Sequence, residues 1–326
     1  MDMLESTAIE FDLLNRNLKR MSIDDLVIDF DNVNKVYWVH ANLHQPDIFK
    51  KICDILRLPA ATIKLCEEKD TLPLLVDDDD TLSLRIQCLL SGKLQKDKEI
   101  DFSTLIIHLT KNFCLTASAM PVPILQEFID NCPKSIRYAK TPCFILFLMI
   151  ELVINAYAKI LFDFEFVTDQ IDSSVTAMKT RGYTTVMRVK HQAMKVKRYV
   201  VALQEILMRI SGREIAVISE QCRMSLQNLS NHCYMVTNEI DSIREMLNSL
   251  LNQLDNALMQ KMSNTMQVLT SFATILLPLS LITGIYGMNF HWMPELNWKY
   301  GYFYALGLLA VCGIGLFYIF KKKKYF

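Results

Sequence analysis

Two long apolar stretches near the end of the sequence constrain its fold more than any other feature. One runs from Met266 to Ile285 and the other from Tyr300 to Phe320, and neither contains a charged residue. A helix rises about 1.5 Å per residue, so about 20 residues cross the roughly 30 Å of hydrocarbon in a bilayer. The sequence therefore predicts two transmembrane helices, at about 266–285 and 300–320, joined by a short loop.

The residues before these stretches are expected to form soluble regions. The chain has 326 residues, a formal net charge of zero and 51% hydrophobic residues, which suits two or three folded regions better than a protein with many spans. We predict an α/β region over 1–141, a helical region with a stalk helix over 142–262, and a membrane domain over 263–326. We expect no nucleic-acid partner.

The charged residues predict an orientation in the membrane. Basic residues prefer the cytoplasmic side, and a run of lysines directly follows the second span: Lys321, Lys322, Lys323 and Lys324. Two spans return the N-terminal part to the cytoplasm, and the first residues lack the pattern of a secretory signal. We expect an inner (plasma) membrane protein with both termini cytoplasmic. The lysines either anchor the span at lipid headgroups or, in a symmetric oligomer, form a cationic collar.

A third apolar segment, Cys143 to Phe162, is interpreted as part of the soluble region. Glu151, Asn155 and Lys159 recur every four residues in it and so share one face of a helix. A glutamate and a lysine in the middle of a bilayer are costly, whereas a solvated stripe on a soluble helix is ordinary. We therefore predict an amphipathic cytoplasmic helix here.

Strand-like and helix-like runs alternate between residues 25 and about 115, which predicts an α/β module. The expected strands are Leu26–Phe30, Lys35–Val39, Thr81–Leu90, Leu105–His108 and Asn112–Thr116. Pro46–Leu56 is an expected helix with proline near its start. Long helices are predicted for Pro142–Met178 and Met187–Ile210, so the fold class is α+β.

The last helix before the membrane is predicted to continue into the first span. No proline or glycine interrupts the chain from Glu214 until Pro278, and a helix over about 215–285 is roughly 100 Å long. An apolar seam on it is formed by Ile240, Ile243, Leu247, Leu250, Leu254 and Ala257. Because so long a helix cannot be buried in its own domain, we infer association with copies of itself.

The same spacing continues into the membrane as a stripe of mostly small or polar residues. The stripe consists of Ser263, Met266, Thr270, Ala273, Leu277, Ser280, Gly284 and Gly287. Small residues favour tight helix packing in membranes, and a water-accessible pore face explains the same positions together with their hydroxyls. Periodicity leaves both interpretations open.

The segment around the loop resembles one known family. Gly287-Met288-Asn289 follows Tyr286 at the end of the first span, Met293-Pro294-Glu295-Leu296 lies in the loop, and Trp298-Lys299-Tyr300-Gly301-Tyr302 begins the second span. With the terminal lysines, these motifs resemble the CorA family of magnesium transporters, two-span proteins with a Gly-x-Asn signature. The resemblance implies a funnel-shaped homopentamer in which one long stalk helix per subunit forms the pore wall and the second span lies outside it.

The chemistry of Mg²⁺ agrees with a filter at this tripeptide. Mg²⁺ keeps six close oxygen ligands and dehydrates reluctantly, so a pore can select it by hydrogen-bonding its water shell. Five Asn289 amides and five Gly287 carbonyls around an axis would offer such acceptors without net charge, and Gly287 permits a close backbone approach. The alternative for Gly287-Met288-Asn289 is a helix C-cap, which is compatible with the filter.

Other pore positions follow from the resemblance and from residue type. Glu295 either attracts cations at the outer mouth or contacts Lys299. Met266 and Leu277 are candidate apolar gates, since such constrictions can dewet. The resemblance further implies polar rings at Ser263 and Ser280, and places Asn252 where the family often has an acidic ring.

Regulation is where this sequence departs from the family. The resemblance implies a regulatory Mg²⁺ site between subunits that is built from acidic residues, but here the stalk carries Asn228, Asn231 and His232. Amide ligands carry no charge, so such a site should be weaker. The other half of the site, or a solvated acidic turn, is the run Asp77, Asp78, Asp79 and Asp80.

The remaining motifs exclude some functions and leave others open. The nine cysteines show no CxxC spacing, which favours reduced buried thiols, and there is no phosphate-binding glycine loop or nucleophile motif, so we expect no enzyme. The basic run from Arg188 to Arg198 is interpreted as a solvated helix face. We predict a passive channel that admits hydrated Mg²⁺. Uptake of Co²⁺ or Ni²⁺, transport of Zn²⁺, and a non-conducting membrane-anchored coiled-coil scaffold are the alternatives.

Overall fold

The computed structural model describes residues 5–32, 34–68, 71–78, 80–91, 94, 98–135, 141–174, 181–288, 291, 293–294 and 298–322. The chain divides into two compact units, 1–250 and 251–326. The strands are β1 (Thr7–Asp12), β2 (Asn17–Met21), β3 (Lys35–Asn42), β4 (Leu74–Asp78), β5 (Thr81–Leu89), β6 (Phe102–Leu109) and β7 (Phe113–Ser118). The helices are α1 (Pro46–Leu56), α2 (Ala60–Glu67), α3 (Pro123–Ser135), α4 (Cys143–Ser174), α5 (Arg181–Ser211), α6 (Glu220–Tyr286) and α7 (Gly301–Lys322).

A seven-stranded mixed sheet organises the first unit. Its strand order is β2-β1-β3-β7-β6-β5-β4; β3 and β7 run parallel, and the other neighbouring strands run antiparallel. The parallel pair needs a long crossover, and the chain between β3 and β7 supplies it with two helices and three further strands. An α/β sheet unit followed by a long helix and a C-terminal apolar helix confirms the predicted fold class.

Both faces of the sheet are covered, so it has two cores. On one face Tyr37, Val39 and Leu115 belong to a cluster that packs against residues of α1 and α2. On the other face Trp38 contacts Phe128 of α3, with ring centroids 5.0 Å apart. Since neighbouring residues of a strand point to opposite faces, strands buried on both sides read as nearly continuous apolar runs.

The predicted strands were correct where the segment pairs with a neighbouring strand of the sheet. The predicted strands from Lys35 onward correspond to β3, β5, β6 and β7, but Leu26–Phe30 forms no strand. Both neighbours of β3 are already taken, by β1 and β7, so this segment packs through the buried Leu26 while Val27 is 77% exposed. The sequence patterns also missed β1, β2, β4, α2 and α3, whose runs are short or polar.

Helix α4 is one of three helices in the described part of the chain that are long and apolar enough to cross a membrane. Half of its apolar window is buried inside the protein. Tyr157 donates a hydrogen bond of 2.6 Å to the carbonyl oxygen of Gln87 in β5, while Asn155 and Lys159 are exposed and Glu151 is half-buried. These contacts make α4 part of the first unit, as the charged stripe predicted.

Helix α6 continues from the first unit into the second, as predicted, and most of its apolar seam is buried within one chain; Leu254 is also buried, whereas Ala257 is exposed. Ile240, Ile243, Leu247 and Leu250 are buried by this chain's own fold, not by a second copy. Periodicity shows that a face is covered but not what covers it.

Polar contacts join α5 to the same part of α6. Lys197 Nζ lies 2.7 Å from both carboxylate oxygens of Asp241, and Lys190 Nζ lies 2.8 Å from Asn248 Oδ1. The basic run on α5 is therefore not simply solvated, which corrects the interpretation from sequence. Two of its lysines form polar contacts between α5 and α6 instead.

Two buried histidines make the stability of the first unit depend on pH. His40 Nδ1 lies 3.2 Å from Thr116 Oγ1, and His108 Nδ1 lies 2.8 Å from Ser83 Oγ. Burial lowers the pKa of each ring from 6.5 to about 4. The unfolded chain therefore binds more protons between these values. The histidines' contribution to stability is complete above pH 6.5 and is lost as the pH falls toward 4.

We predict that His108→Gln, which cannot titrate, weakens the acid dependence of unfolding. The wild type should lose up to about 3 kcal/mol per buried histidine between pH 6.5 and 4, and the variant about half of the total. Denaturant unfolding of the full chain in detergent at stepped pH, followed by tryptophan fluorescence, measures how steeply the free energy of unfolding changes with pH in each protein. His191→Gln, at an exposed position of α5, is the matched control. Equal slopes in wild type and His108→Gln would contradict the prediction.

Candidate functional site: the apolar helix pair

The second unit contains the end of α6 and the whole of α7. Leu279 packs against α7, since a methyl group built on Gly313 would lie 3.7 Å from Leu279 Cδ1. Covered residues recur every three or four positions on this face of α6: Gln267, Ser271, Ile275, Pro278, Leu279, Ile282 and Tyr286. Matching positions on α7 are Gly301, Ala305, Leu309, Cys312, Gly313, Leu316 and Phe320.

The predicted stripe lies on another face of α6. At about 3.6 residues per turn, the stripe residues are centred roughly opposite the residues that face α7. All eight are exposed, and so is Asn252, which lies on the same side further down the helix. The two predicted apolar gates, Met266 and Leu277, are 57% and 70% exposed. The stripe is therefore not used for packing against α7 within one chain.

Hydroxyl groups on α6 divide into two sets. Ser271, Thr274 and Thr283 each donate to a backbone carbonyl one turn earlier, at distances of 2.8 to 3.1 Å. In the described residues of α6, the stripe hydroxyls make no such bond; they belong to Ser263, Thr270 and Ser280. A hydroxyl in a membrane helix normally bonds its own backbone or a neighbour. The stripe hydroxyls are thus available to water or to another chain.

Gly287, the first residue of the predicted filter, directly follows the last residue of α6, Tyr286. Its N–H donates to the carbonyls of Thr283 at 2.9 Å and Gly284 at 3.2 Å, and Met288 N–H donates to Ile285 at 3.2 Å. A Cβ on Gly287 would lie 3.2 Å from the Thr283 oxygen, so the position favours glycine by close approach. No described glycine has a positive φ, so this is not the left-handed form of a helix cap. Asn289 lies outside the described residues.

The remaining residues predicted at the ends of the spans are Glu295 and the four lysines after the second span. Glu295 lies outside the described residues, as do Lys323 and Lys324. Lys321 and Lys322 are exposed in the last turn of α7.

An aromatic cluster lies at the start of α7, in a segment that was quoted for the family resemblance but whose ring contacts were not predicted. The ring centroid of Trp298 lies 6.3 Å from that of Tyr300 and 6.0 Å from that of Tyr304. Tryptophan and tyrosine side chains prefer the level of lipid headgroups, so this cluster marks one end of a span. The density of aromatic residues next to an apolar stretch was the signal that could have found it.

The predicted regulatory residues do not assemble into a metal site within one chain. Asp77 and Asp78 lie on the edge strand β4, and Asp80 pairs with Lys111 at 2.6 Å, while Asp79 lies outside the described residues. Asn228 and Asn231 are exposed on α6, and His232 beside them is half-buried. Over the described ranges, no group of three or more His, Cys, Asp or Glu side chains could hold a metal ion.

Comparison with known proteins identifies the family. The sequence profile described as "CorA-like Mg2+ transporter protein" matches residues 33–322. The cobalt/magnesium transport protein CorA of Thermotoga maritima is 27% identical over 237 residues, which are 70% of this chain and 66% of that protein. The protein of the same name from Methanocaldococcus jannaschii is 19% identical over 296 residues, or 89% of this chain and 91% of that protein. This chain thus spans slightly less than two thirds of the Thermotoga relative.

A solved structure supports the assignment at the level of fold. The complete structure of the CorA magnesium transporter from Methanocaldococcus jannaschii superposes with a TM-score of 0.87 and covers 100% of both chains. At 16% identity this likeness shows the fold alone. Because the family profile covers most of the sequence, the chain belongs to the CorA-like Mg²⁺ transporter family. Membership of a membrane transporter family confirms both the resemblance and the expectation that the protein is not an enzyme.

We predict that Gly313→Leu destabilises the helix pair. A Cβ at this position would already be in van der Waals contact with Leu279, so the further carbon atoms of leucine would crowd the interface, and overpacking of this kind costs about 1–3 kcal/mol. Gly315→Leu is the matched control, because a side chain there meets nothing within 4 Å. Thermal unfolding in detergent should show a lower midpoint for Gly313→Leu only. Equal midpoints for the two variants would mean that α7 does not pack on Leu279 as described.

Proposed function

We propose that this protein is a passive, ion-selective channel that takes hydrated Mg²⁺ into the cytoplasm. The observation that carries the proposal is the stripe on α6: it faces away from α7, is exposed in one chain, and holds hydroxyls without a backbone partner. Water in a pore would satisfy those hydroxyls, whereas lipid would leave them unsatisfied. Membership of a transporter family supports the same reading.

The pore requires several copies of the chain, and we propose a homopentamer. Only 6% of the apolar window of α6 and none of that of α7 is buried in a single chain. In the assembly, the stripe of each α6 would face a common axis, and α7 would lie outside it against lipid. This arrangement removes the stripe from hydrocarbon and leaves the bulky apolar residues, such as Phe272 and Leu276, on other faces.

The proposed filter is Gly287, Met288 and Asn289. Five Asn289 amides and five Gly287 carbonyls would accept hydrogen bonds from the water shell of Mg²⁺, which keeps its close waters more firmly than larger ions do. Glu295 would raise the cation concentration at the outer mouth. Below the filter, rings of Leu277 and Met266 would gate by dewetting, with polar rings at Ser280, Ser263 and Asn252 between and beneath them.

The membrane potential supplies the driving force. Each 100 mV contributes about 2.3 kcal/mol per charge, or roughly twice that for a divalent ion, so inward movement needs no coupled reaction. We propose that both termini are cytoplasmic in the inner (plasma) membrane. The exposed Lys321 and Lys322, with Lys323 and Lys324, would then lie at anionic headgroups and form a collar in the oligomer.

Regulation by internal Mg²⁺ is proposed to be weak. A regulatory site between subunits would combine Asp77 to Asp80 of one chain with Asn228, Asn231 and His232 of the next. The amides carry no charge, and Asp80 is already paired with Lys111. A site of this composition should hold Mg²⁺ less firmly than one built from carboxylates.

Cobalt is the second candidate cargo. The Thermotoga and Methanocaldococcus relatives are both named cobalt/magnesium transport proteins. A filter that reads a water shell would admit Co²⁺ if the ion kept its waters. Transport of Ni²⁺ or Zn²⁺ by the same architecture has no observation in its favour. A non-conducting scaffold, in which another chain would bond the stripe hydroxyls, predicts no ion uptake.

We predict that Gly284→Phe blocks conduction. Gly284 lies on the stripe, and a side chain built there meets nothing within 4 Å in one chain, so a phenyl ring would project into the pore. Mg²⁺ uptake by purified protein in liposomes should fall at least tenfold. Gly307→Phe on α7, which also meets nothing within 4 Å, should leave uptake unchanged because its ring would face lipid.

Two outcomes would contradict the pore. Equal loss of uptake in Gly284→Phe and Gly307→Phe would mean that the stripe has no special relation to the conducting path. A monomer or dimer by native mass spectrometry would exclude a central pentameric pore. The scaffold alternative requires no Mg²⁺ uptake by the wild type.

We predict that Asn289→Ala lowers Mg²⁺ uptake by at least tenfold, because the ring of amide oxygens that reads the water shell is lost. Asn264→Ala, at an exposed position of α6 below the spans, is the matched control and should conduct normally. Uptake of Mg²⁺ and Co²⁺ in liposomes, measured side by side, also ranks the two ions. If Asn289→Ala conducts Mg²⁺ as well as the wild type, the filter assignment fails.

A further inference from the structure

Two buried cysteines meet where α4 and α6 begin. Cys143 is the first residue of α4, and Cys222 is the third residue of α6. The Cys222 thiol donates to the backbone carbonyl oxygen of Cys143 at a distance of 3.2 Å. The residues are 79 positions apart in sequence, so only the tertiary fold brings them together.

The surroundings of Cys143 favour a thiolate. Its sulfur lies 3.0 Å from the Thr141 hydroxyl and 3.5 Å from the Ser219 hydroxyl. Hydrogen bonding, first from Cys222 and then from the two hydroxyls, lowers the pKa of Cys143 to about 6. The start of a 32-residue helix adds a favourable dipole. The pKa of Cys222 is raised, chiefly by the same thiol hydrogen bond, so the shared proton belongs to Cys222.

The other buried thiols of the first unit lack this environment. Burial raises the pKa of Cys66, Cys132 and Cys233 to about 12, which keeps them protonated and unreactive. Within the described part of the chain, Cys143 therefore combines thiolate character with a second thiol that reaches the Cys143 backbone oxygen, which is the arrangement a reactive dithiol needs.

We propose that Cys143 and Cys222 form a redox-active thiol pair that closes to a disulfide when the protein meets a hydroperoxide. This inference goes beyond the proposed transport and does not depend on it. Both thiols are buried, with Cys222 7% exposed, so the oxidant must be as small as hydrogen peroxide.

The chemistry proceeds in two steps. The Cys143 thiolate attacks one oxygen of hydrogen peroxide, the O–O bond breaks, and Cys143 sulfenic acid and hydroxide form. The Cys222 sulfur then attacks the sulfur of the sulfenic acid, and an S–S bond forms as hydroxide leaves. The proton of Cys222 converts that hydroxide to water. Overall, two thiols lose two electrons and two protons, and one peroxide becomes two waters.

The disulfide would tie the start of α6 to the start of α4. A disulfide needs an S–S distance of about 2.05 Å, and Cys222 Sγ lies 3.2 Å from the backbone oxygen of Cys143. The first turn of α6, which leads toward the membrane segment of the same helix, would then be fixed covalently to the sheet unit. Closing a loop of this length restricts the unfolded chain, so the oxidised protein should also resist unfolding more strongly.

Peptide mapping of the full-length protein in detergent tests the proposal. The protein is treated with hydrogen peroxide, remaining thiols are blocked with N-ethylmaleimide under denaturing conditions, and the digest is analysed by mass spectrometry. We expect the peptides containing Cys143 and Cys222 to be linked, with the loss of two hydrogens. Cys143→Ser should abolish the link, and Cys88→Ser, at another buried position, should leave it intact.

Three results would overturn the proposal. These are blocked but unlinked Cys143 and Cys222 after peroxide treatment, sulfinic acid on Cys143 without a link, and linkage of either residue to a different cysteine. If Cys143→Ser fails to fold, the wild-type map still decides, since the linked peptide is either present or absent. Transport activity is not part of the readout, so failure here leaves the channel proposal untouched.

Discussion

The apolar surface of α6 beyond residue 255 is the constraint on which the rest of the structure depends. One helix carries both a segment buried by its own chain and a segment that is exposed except toward α7. Exposing such a surface to water has a large free-energy cost, which is the physical basis of the proposal that lipid and other copies of the chain cover it. The proposed pore also accommodates the stripe hydroxyls, because it would separate a lipid-facing side from a water-facing side on the same helix.

The first unit gives α6 a fixed starting point. Its apolar residues from Ile240 to Leu250 are buried, and salt links from α5 reach Asp241 on the neighbouring face. These contacts fix the N-terminal part of α6 within the first unit.

Sequence patterns predicted the structure correctly where an element is stabilised by interactions between residues close together in sequence. Helix α1 begins at Pro46 and ends at Leu56 as predicted, because proline at the first position and amphipathic spacing act within the helix itself. The expected strand Leu26–Phe30 was wrong, because a strand needs a partner elsewhere and the places beside β3 were occupied. The seam from Ile240 was recognised as apolar, but the segment that buries it was not predicted, because it lies elsewhere in the sequence.

The sequence by itself determined that the chain ends in two apolar helices flanking a Gly-Met-Asn motif, and that a small, polar stripe leads up to it. Composition and spacing along one helix carry that information, since they act through hydration and helical periodicity alone. Only the tertiary structure decided that α7 takes the face opposite the stripe, that α4 packs against β5 of the sheet, and that Cys222 meets Cys143. Those outcomes depend on which distant segments come together, and the free energy of such contacts cannot be deduced from the local sequence pattern of either segment.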